Sequence, residues 1–211
     1  CNIVSGFYNA LAPVDTIAIN TDKKALDETA ADKRIYICKA VTKGEGTRGD
    51  MRLGKKCAMV HEEEIEKALI GNDVVFLITG LGGGTGTGAA SVVAEICNRN
   101  NLMTFTIAIN PFFFEADRMP TAGEGLRAIR AVCPNTFTIE NDKIFELMPG
   151  ATMNEAMRAV NNSIIRFVNE TAAVLASKIE EEITSVNEAV YSGKAEIRDM
   201  PKIPFCPGIK I

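Results

Sequence analysis

Two kinds of apolar spacing alternate along the chain. Val14 to Ile19, Arg34 to Cys38, Asp73 to Thr79, Leu102 to Ile109 and Thr136 to Ile139 are short apolar runs closed by polar or turn residues, the pattern of strands buried in a sheet. Asp73 to Thr79 (DVVFLIT) is nearly continuous, which predicts a strand covered on both faces in a parallel sheet. Between these runs lie segments with helical spacing: Ile3 to Leu11, Lys24 to Thr29, Lys55 to Ile70 ended by Gly71-Asn72, Ala89 to Asn100, Thr121 to Val132, and a short one after Asn141. Thr42 to Gly54 carries four glycines among charged residues and reads as a flexible loop. The alternation predicts an α/β fold: a doubly wound, mostly parallel sheet with helices on both faces.

The last periodic stretch is longer than the rest. Thr152 and Glu155 have capping-box spacing, and apolar residues recur from Met153 to Val190 in steps of three, four and one seven, so a central helix of roughly 35 residues and about 50 Å is expected. Such a helix outruns a small domain. It is expected to lie along a second domain, pack on another subunit or break near its end, and a coiled-coil arm is the plainer alternative. Residues 201–208 hold three prolines and a glycine, which suits an extended tail. The expected organisation is an α/β domain over residues 1–151, the long helix over 152–191 and the tail over 192–211, with a C-terminal domain absent. No strand precedes the first helix, and an upstream strand is expected to be missing from the sheet.

Composition narrows the function classes. With 46% hydrophobic and 24% charged residues the 211-residue chain can bury a sizeable core. A net charge of −4 with no basic cluster argues against nucleic acid or an anionic membrane as the main partner, and no apolar run reaches membrane-spanning length. The six cysteines are scattered, without C-x-x-C spacing and with only His61 to help bind metal. They read as reduced, mostly buried thiols in a reducing, cytoplasmic compartment.

The chemistry concentrates at Gly82-Gly83-Gly84-Thr85-Gly86-Thr87-Gly88, set between a buried strand and an amphipathic helix. Successive glycines let backbone N–H groups converge on an anion, the following helix N-terminus adds partial positive charge, and Thr85 and Thr87 offer uncharged hydroxyls. A P-loop is excluded: the nearest match, Gly49 to Lys56, has a lysine where the Mg²⁺-binding hydroxyl belongs and no strand before it. The dinucleotide fingerprint is met by Gly84 to Ala89, but the next strand ends at Asn110-Pro111 with no acid until Glu115, so a nicotinamide or flavin oxidoreductase is the weaker alternative.

Gly-Gly-Gly-Thr-Gly-Thr-Gly resembles the signature loop of the tubulin and FtsZ superfamily, and the resemblance runs from Cys1 to about Ser177, closer to FtsZ than to tubulin. In order along the chain, Asn2 resembles the end of the first glycine-rich loop, Ala18 to Asp22 the loop after the second strand, and Thr42 to Gly46, with Gly44, the loop facing the terminal phosphate. Pro111 to Glu115 resembles the ribose-binding segment and Ile139 to Lys143, with Asn141, the next nucleotide loop, while Asn161 falls on the long helix where the family recognises guanine. The resemblance implies GTP or GDP as ligand, with Mg²⁺. Residue chemistry is compatible: Glu115 can accept ribose hydroxyls, Arg118 can neutralise phosphate or close the pocket, Asn161 can pair with a guanine edge, and Asn20 and Asp22 can hold water or Mg²⁺. Each also has a plainer reading: Asn141 and Asp142 as a helix cap, Glu115 and Arg118 as a surface ion pair, Asn161 as a solvated helix position, His61 as a surface residue, Phe112 to Phe114 as core packing.

Three departures stand out. Cys1 occupies a family glycine, Arg118 is one residue nearer to Glu115 than usual, and no clear copy of the acidic loop that completes hydrolysis in a neighbouring subunit is found. Glu196 and Asp199 have the acid spacing but lie about a dozen residues too far along, so catalytic residues are unassigned. The resemblance implies a cytoskeletal GTPase that self-associates head to tail into filaments, in prokaryotic cell division and with cell-division proteins as further partners, and without direct membrane insertion. A non-hydrolysing nucleotide-binding homologue is the alternative.

Overall fold

The computed structural model describes residues 2–9 and 14–191. The expected tail, Glu196 and Asp199 lie outside the described residues. The order is α1 (Asn2–Asn9), β1 (Ile17–Asn20), α2 (Lys23–Asp27), β2 (Lys33–Tyr36), α3 (Lys39–Thr42), α4 (Met51–Val60), α5 (Glu62–Leu69), β3 (Val74–Gly80), α6 (Gly84–Arg99), β4 (Met103–Asn110), α7 (Met119–Val132), β5 (Thr136–Glu140), α8 (Lys143–Leu147) and α9 (Met153–Tyr191). The strands are parallel throughout, as expected of buried apolar runs joined by helical crossovers.

The period-2 rule partitions the core. Val75 and Leu77 of β3 face a cluster with α4, α5 and α6, containing Ile65, Val92 and Ile96, while Phe76 and Ile78 face a second cluster in which Ile3 and Phe7 of α1 meet Val160, Ile164 and Val168 of α9. Ala108 of β4 joins a third cluster with Ala122 and Ile129 of α7. Helices thus cover both faces, giving the doubly wound α/β architecture.

The strands fall into two groups, β1-β2 and β3-β4-β5. Between β1 and β3 lies a cavity of about 300 Å³, walled by Ile17 to Ile19 and Val74 to Thr79 and closed by residues of α1, α6 and α9. The two groups point the same way: the Thr21 and Thr85 hydroxyls, just beyond β1 and β3, are 2.6 Å apart at one end, and Thr16 and Asp73 line the other. Val74 to Ile78 are only half-buried, although continuous apolar character predicts full cover. The reason is that no described strand pairs with β3 on the side facing β1.

Other expectations need correction. The expected helix from Lys55 to Ile70 is two helices, broken at His61, whose backbone leaves helical geometry (φ −104, ψ 21) while its Nδ1 lies 3.0 Å from the Cys57 carbonyl oxygen. Part of the expected loop from Thr42 to Gly54 is helical, because Asp50 accepts a hydrogen bond from Leu53 N–H (3.0 Å) and starts α4 at Met51. Cys38 and Cys57 form a disulfide rather than two free thiols, because α4 packs over the turn into α3 and brings their Cα atoms to 5.1 Å. Cys97 and Cys133 are free and buried, and burial pushes the Cys97 thiol up from its ordinary value. Phe112 is buried, but Phe113 is 70% and Phe114 55% exposed, so the triplet is only partly core.

The long helix is present over 39 residues. Its capping box forms as expected: Thr152 N–H donates to Glu155 Oε2 (2.8 Å) and Glu155 N–H donates to Thr152 Oγ1 (3.3 Å). Apolar residues Met157, Phe167 and Val174 remain exposed on it.

Candidate functional site

The glycine segment divides differently from the expected loop. α6 begins at Gly84, so Gly84 to Gly88 form its first turns and only Leu81 to Gly83 make the turn after β3. Leu81 N–H donates to the Ile109 carbonyl (2.8 Å), fixing the turn to the end of β4. Gly82 has φ +86, a left-handed conformation that favours glycine, and a Cβ there would stand 2.8 Å from Arg118 Cβ. Gly83, the N-cap, makes no side-chain cap bond and has open space where a Cβ would lie. Among the described residues no side chain accepts from the first N–H groups of α6, which lie at the positive end of the helix dipole. That arrangement suits an anion.

The remaining glycines have a second job. A Cβ at Gly84 would stand 2.7 Å from the Asp50 carbonyl oxygen, one at Gly88 2.6 Å from Lys55 N, and one at Gly86 2.5 Å from the Gly80 carbonyl oxygen. Gly84 and Gly88 let α4 lie on α6, and Gly86 lets α6 rest on the end of β3, where Thr79 Oγ1 donates to the Gly86 carbonyl (2.9 Å). Thr87 is buried under Gly125 of α7 and its hydroxyl has no hydrogen-bond partner among the described residues, so it is part of the packed interior rather than an open donor.

Thr85 is the hub. Its hydroxyl meets that of Thr21, inside the Ala18 to Asp22 loop but not singled out by its sequence, and lies 3.4 Å from that of Thr47, which no sequence feature marks. A polar residue directly after an apolar strand was the available signal for Thr21; Thr47 lies in a loop with no periodicity to mark it. Asn20 Oδ1 accepts the N–H groups of Thr21 (2.8 Å) and Asp22 (3.1 Å), shaping the turn after β1. Asp22 accepts from Ala25 N–H (2.9 Å) and caps α2. The Gly44 carbonyl accepts from Lys23 N–H (3.1 Å), and Asp22 bridges to Glu45, so the loop after α3 is fastened beside the turn after β1. Among the described residues no group of three acidic, histidine or cysteine side chains could hold a metal ion.

On the other flank, Glu115 Oε2 accepts from Phe112 N–H (3.1 Å) and Glu115 Oε1 from Arg118 Nη1 (2.6 Å), within an Ala116–Arg118 3-10 turn. This is the ion-pair reading of these residues, and it sits against the glycine turn, since Gly82 abuts both Arg118 and Pro111. Asp142 accepts from Phe113 N–H (3.0 Å) instead of capping α8, and so ties the segment after β4 to the turn after β5 beside Asn141. The structure thus groups Asn20, Asp22, Gly44, Gly82 to Gly86, Pro111, Glu115 and Arg118 at the carboxyl ends of the strands. Asn2 begins α1, and Asn161 is half-buried on α9 next to Val160; neither hydrogen-bonds to the glycine turn.

Fold and site together define a parallel α/β domain with a glycine turn at its strand ends, the usual crevice position in this architecture. The family model "Tubulin/FtsZ family, GTPase domain" matches residues 2–149. The chain is 38% identical over 182 residues to cell division protein FtsZ 2 of Methanocaldococcus jannaschii (85% of this chain, 47% of the relative) and 40% identical over 154 residues to FtsZ 1 of the same organism (72% and 42%). Among solved structures, an empty FtsZ dimer from M. jannaschii superposes with TM-score 0.75 at 36% identity (80% of this chain, 50% of that one). A CetZ2 protofilament from Haloferax volcanii with bound GTPγS superposes with TM-score 0.71 at 26% identity (80% and 53%). The chain belongs to the tubulin/FtsZ family and carries its GTPase domain. It spans about half the length of the relatives it matches.

Proposed function

We propose that this chain is the nucleotide-binding part of a filament-forming, FtsZ-like GTPase, with GTP or GDP held at the uncapped start of α6. The observation that carries the reading is the pair of features at Gly82 and Gly83: two residues without side chains leading into a helix whose first N–H groups find no side-chain acceptor among the described residues. A phosphate would fill that acceptor role. Glu115 has the acceptor chemistry for ribose hydroxyls if Arg118 gives it up, and Asn161 the amide for a base edge. Mg²⁺ would be held chiefly by phosphate oxygens and water, the usual mode where few carboxylates converge.

Self-association into head-to-tail filaments, cytoplasmic residence and a role in prokaryotic cell division are proposed from the relatives: the FtsZ proteins are cell division proteins, and the superposed FtsZ and CetZ2 structures are a dimer and a protofilament. No described helix is long and apolar enough to cross a membrane. We also propose that the cavity between β1 and β3 takes the strand expected upstream of α1. A β-α-β crossover through α1 into β1 would place that strand parallel to β1, and the cavity lies between two edges pointing that way.

The absence of a clear acidic loop in the sequence favours a second reading, a non-hydrolysing nucleotide-binding homologue. GTP turnover by the full-length protein, measured against its own concentration, separates the two. Hydrolysis completed by a neighbour rises more than linearly with concentration, whereas a binding module shows no turnover at any concentration.

A further inference from the structure

The segment after β2 carries a feature that the nucleotide reading does not use. Cys38 and Cys57 are joined across a sequence separation of 19, and the chain between them includes α3, the Gly44 loop, Thr47, Asp50 and the start of α4. This is the stretch that touches the glycine turn: Thr47 lies beside Thr85, and the Asp50 backbone packs on Gly84. Its backbone is unusual. Cys38, Lys43 and Arg48 all have positive φ (59, 49 and 51), interspersed with left-handed Gly44, Gly46 and Gly49. Non-glycine residues hold that conformation only where their surroundings impose it. The segment forms no strand of its own, so its shape depends on fasteners at its ends and on a few bonds between them: Thr42 Oγ1 to the Thr21 carbonyl (3.1 Å), Lys23 N–H to the Gly44 carbonyl, and the Thr47 and Thr85 hydroxyls.

We propose that Cys38 and Cys57 form a reversible redox clasp that sets how freely this segment opens over the glycine turn, and thereby how fast nucleotide leaves. The inference rests on the guanine-nucleotide reading of the site. Closing the disulfide removes open conformations from the segment, and reduction restores them. Cys38 is 9% exposed and Cys57 fully buried, so Cys38 is the entry point when the segment opens locally. The oxidant is a low-molecular-weight disulfide. The Cys38 thiolate attacks one of its sulfurs, forming a mixed disulfide and releasing one thiolate; Cys57, deprotonated, then attacks Cys38 Sγ and releases the second. Two protein thiols are oxidised, one external disulfide is reduced to two thiols, and the cysteine protons pass to the departing thiolates. In a reducing compartment the pair would be open by default and close under oxidation.

The test uses the full-length protein with a fluorescent GDP analogue, after equilibration in glutathione disulfide or in dithiothreitol, with tryptic peptide mapping of thiols and limited trypsin cleavage at Lys43, Arg48 and Arg52. The expected result is a Cys38–Cys57 peptide link on oxidation, analogue release slowed roughly tenfold as part of the loop-closure entropy is removed in advance, and slower cleavage of the segment. Cys38→Ser and Cys57→Ala should release at the fast rate in both buffers, and the reduced wild type serves if either variant fails to fold. Absence of the link, or equal release and cleavage rates with the link in place, overturns the clasp. If neither redox state takes up the analogue, the nucleotide reading fails, and the cleavage rates alone decide: redox-dependent cleavage supports the clasp and redox-independent cleavage refutes it.

Discussion

Gly84 and Asp50 pack backbone to backbone: a Cβ on Gly84 would stand 2.7 Å from the Asp50 carbonyl oxygen and 2.8 Å from the Asp50 amide nitrogen. The first turn of α6 is therefore a packing surface for α4 as well as a site for an anion. This separates the glycines into two groups that substitution can tell apart. Gly84→Val should destabilise the protein by about 2–3 kcal/mol through overpacking, read from the shift of the urea midpoint. Gly83→Ala, at an extended N-cap with open space around it, should shift that midpoint by no more than about 1 kcal/mol, the loss expected of alanine for glycine at an N-cap.

The Thr21 and Thr85 hydroxyls join the turn after β1 to the first turn of α6 at 2.6 Å. Replacing either with valine keeps the volume and removes the bond, so each single variant should lose about 1 kcal/mol of stability. A double-mutant cycle on Thr21→Val and Thr85→Val should return a coupling of about 0.5–1.5 kcal/mol. A coupling near zero would mean that the two strand groups are held together without this contact.

Asp32 joins β2 to the start of β1: Thr16 N–H (2.8 Å) and Thr16 Oγ1 (2.6 Å) both donate to its Oδ2. The Thr16 hydroxyl, then its amide, hold the Asp32 carboxyl below its ordinary value. Because the folded-state value is lowered, the contribution is fully present above the unfolded value of about 3.9 and disappears as pH falls through the lower folded one. Asp32→Asn should thus be less stable than wild type at neutral pH, with the difference closing below about pH 4 as the wild-type carboxyl protonates. Urea unfolding at neutral and acid pH checks the sign, and the effect should be small because Asp32 is exposed.

The unpaired edges of β1 and β3 make a prediction about the full-length protein. If a strand fills the cavity between them, the amides of Ile17 to Ile19 and Val74 to Ile78 should exchange with solvent as slowly as those of β4, which is paired on both sides. Hydrogen-exchange mass spectrometry reads this directly. Fast exchange of both edges in the full-length protein would leave the cavity without its strand.

The fold was legible where one physical signal dominated. Every strand core coincides with an apolar run, and α9 was visible because Thr152 and Glu155 mark its start and its apolar stripe persists for turns. Val74 and Ile139, in β3 and β5, needed no tertiary information. His61 did: the stripe continues across it, so the break between α4 and α5 comes from packing that period counting does not see. The start of α6 was misplaced for a related reason. Glycine propensity argues for a loop at Gly84 to Gly88, but contacts with α4 and with Gly80 override it. At the site, glycine runs and polar residues closing strands pointed to Asn20, Asp22 and Gly82 to Gly86. Thr47 and the Cys38–Cys57 pair escaped because their partners lie in other elements, and nothing in a linear pattern reports that proximity.

The central claim is that the turn at Gly82 and Gly83 holds the phosphates of a guanine nucleotide. Titration calorimetry of the full-length protein, freed of nucleotide, with GTP, GDP and ATP, and of its Gly83→Val variant, tests it most directly. The account predicts one site that takes GTP and GDP, ignores ATP, and is weakened roughly tenfold or more when a branched side chain fills the open space beside the helix N-terminus, with folding unchanged. No heat with GTP or GDP, or wild-type affinity in a folded Gly83→Val protein, would contradict it.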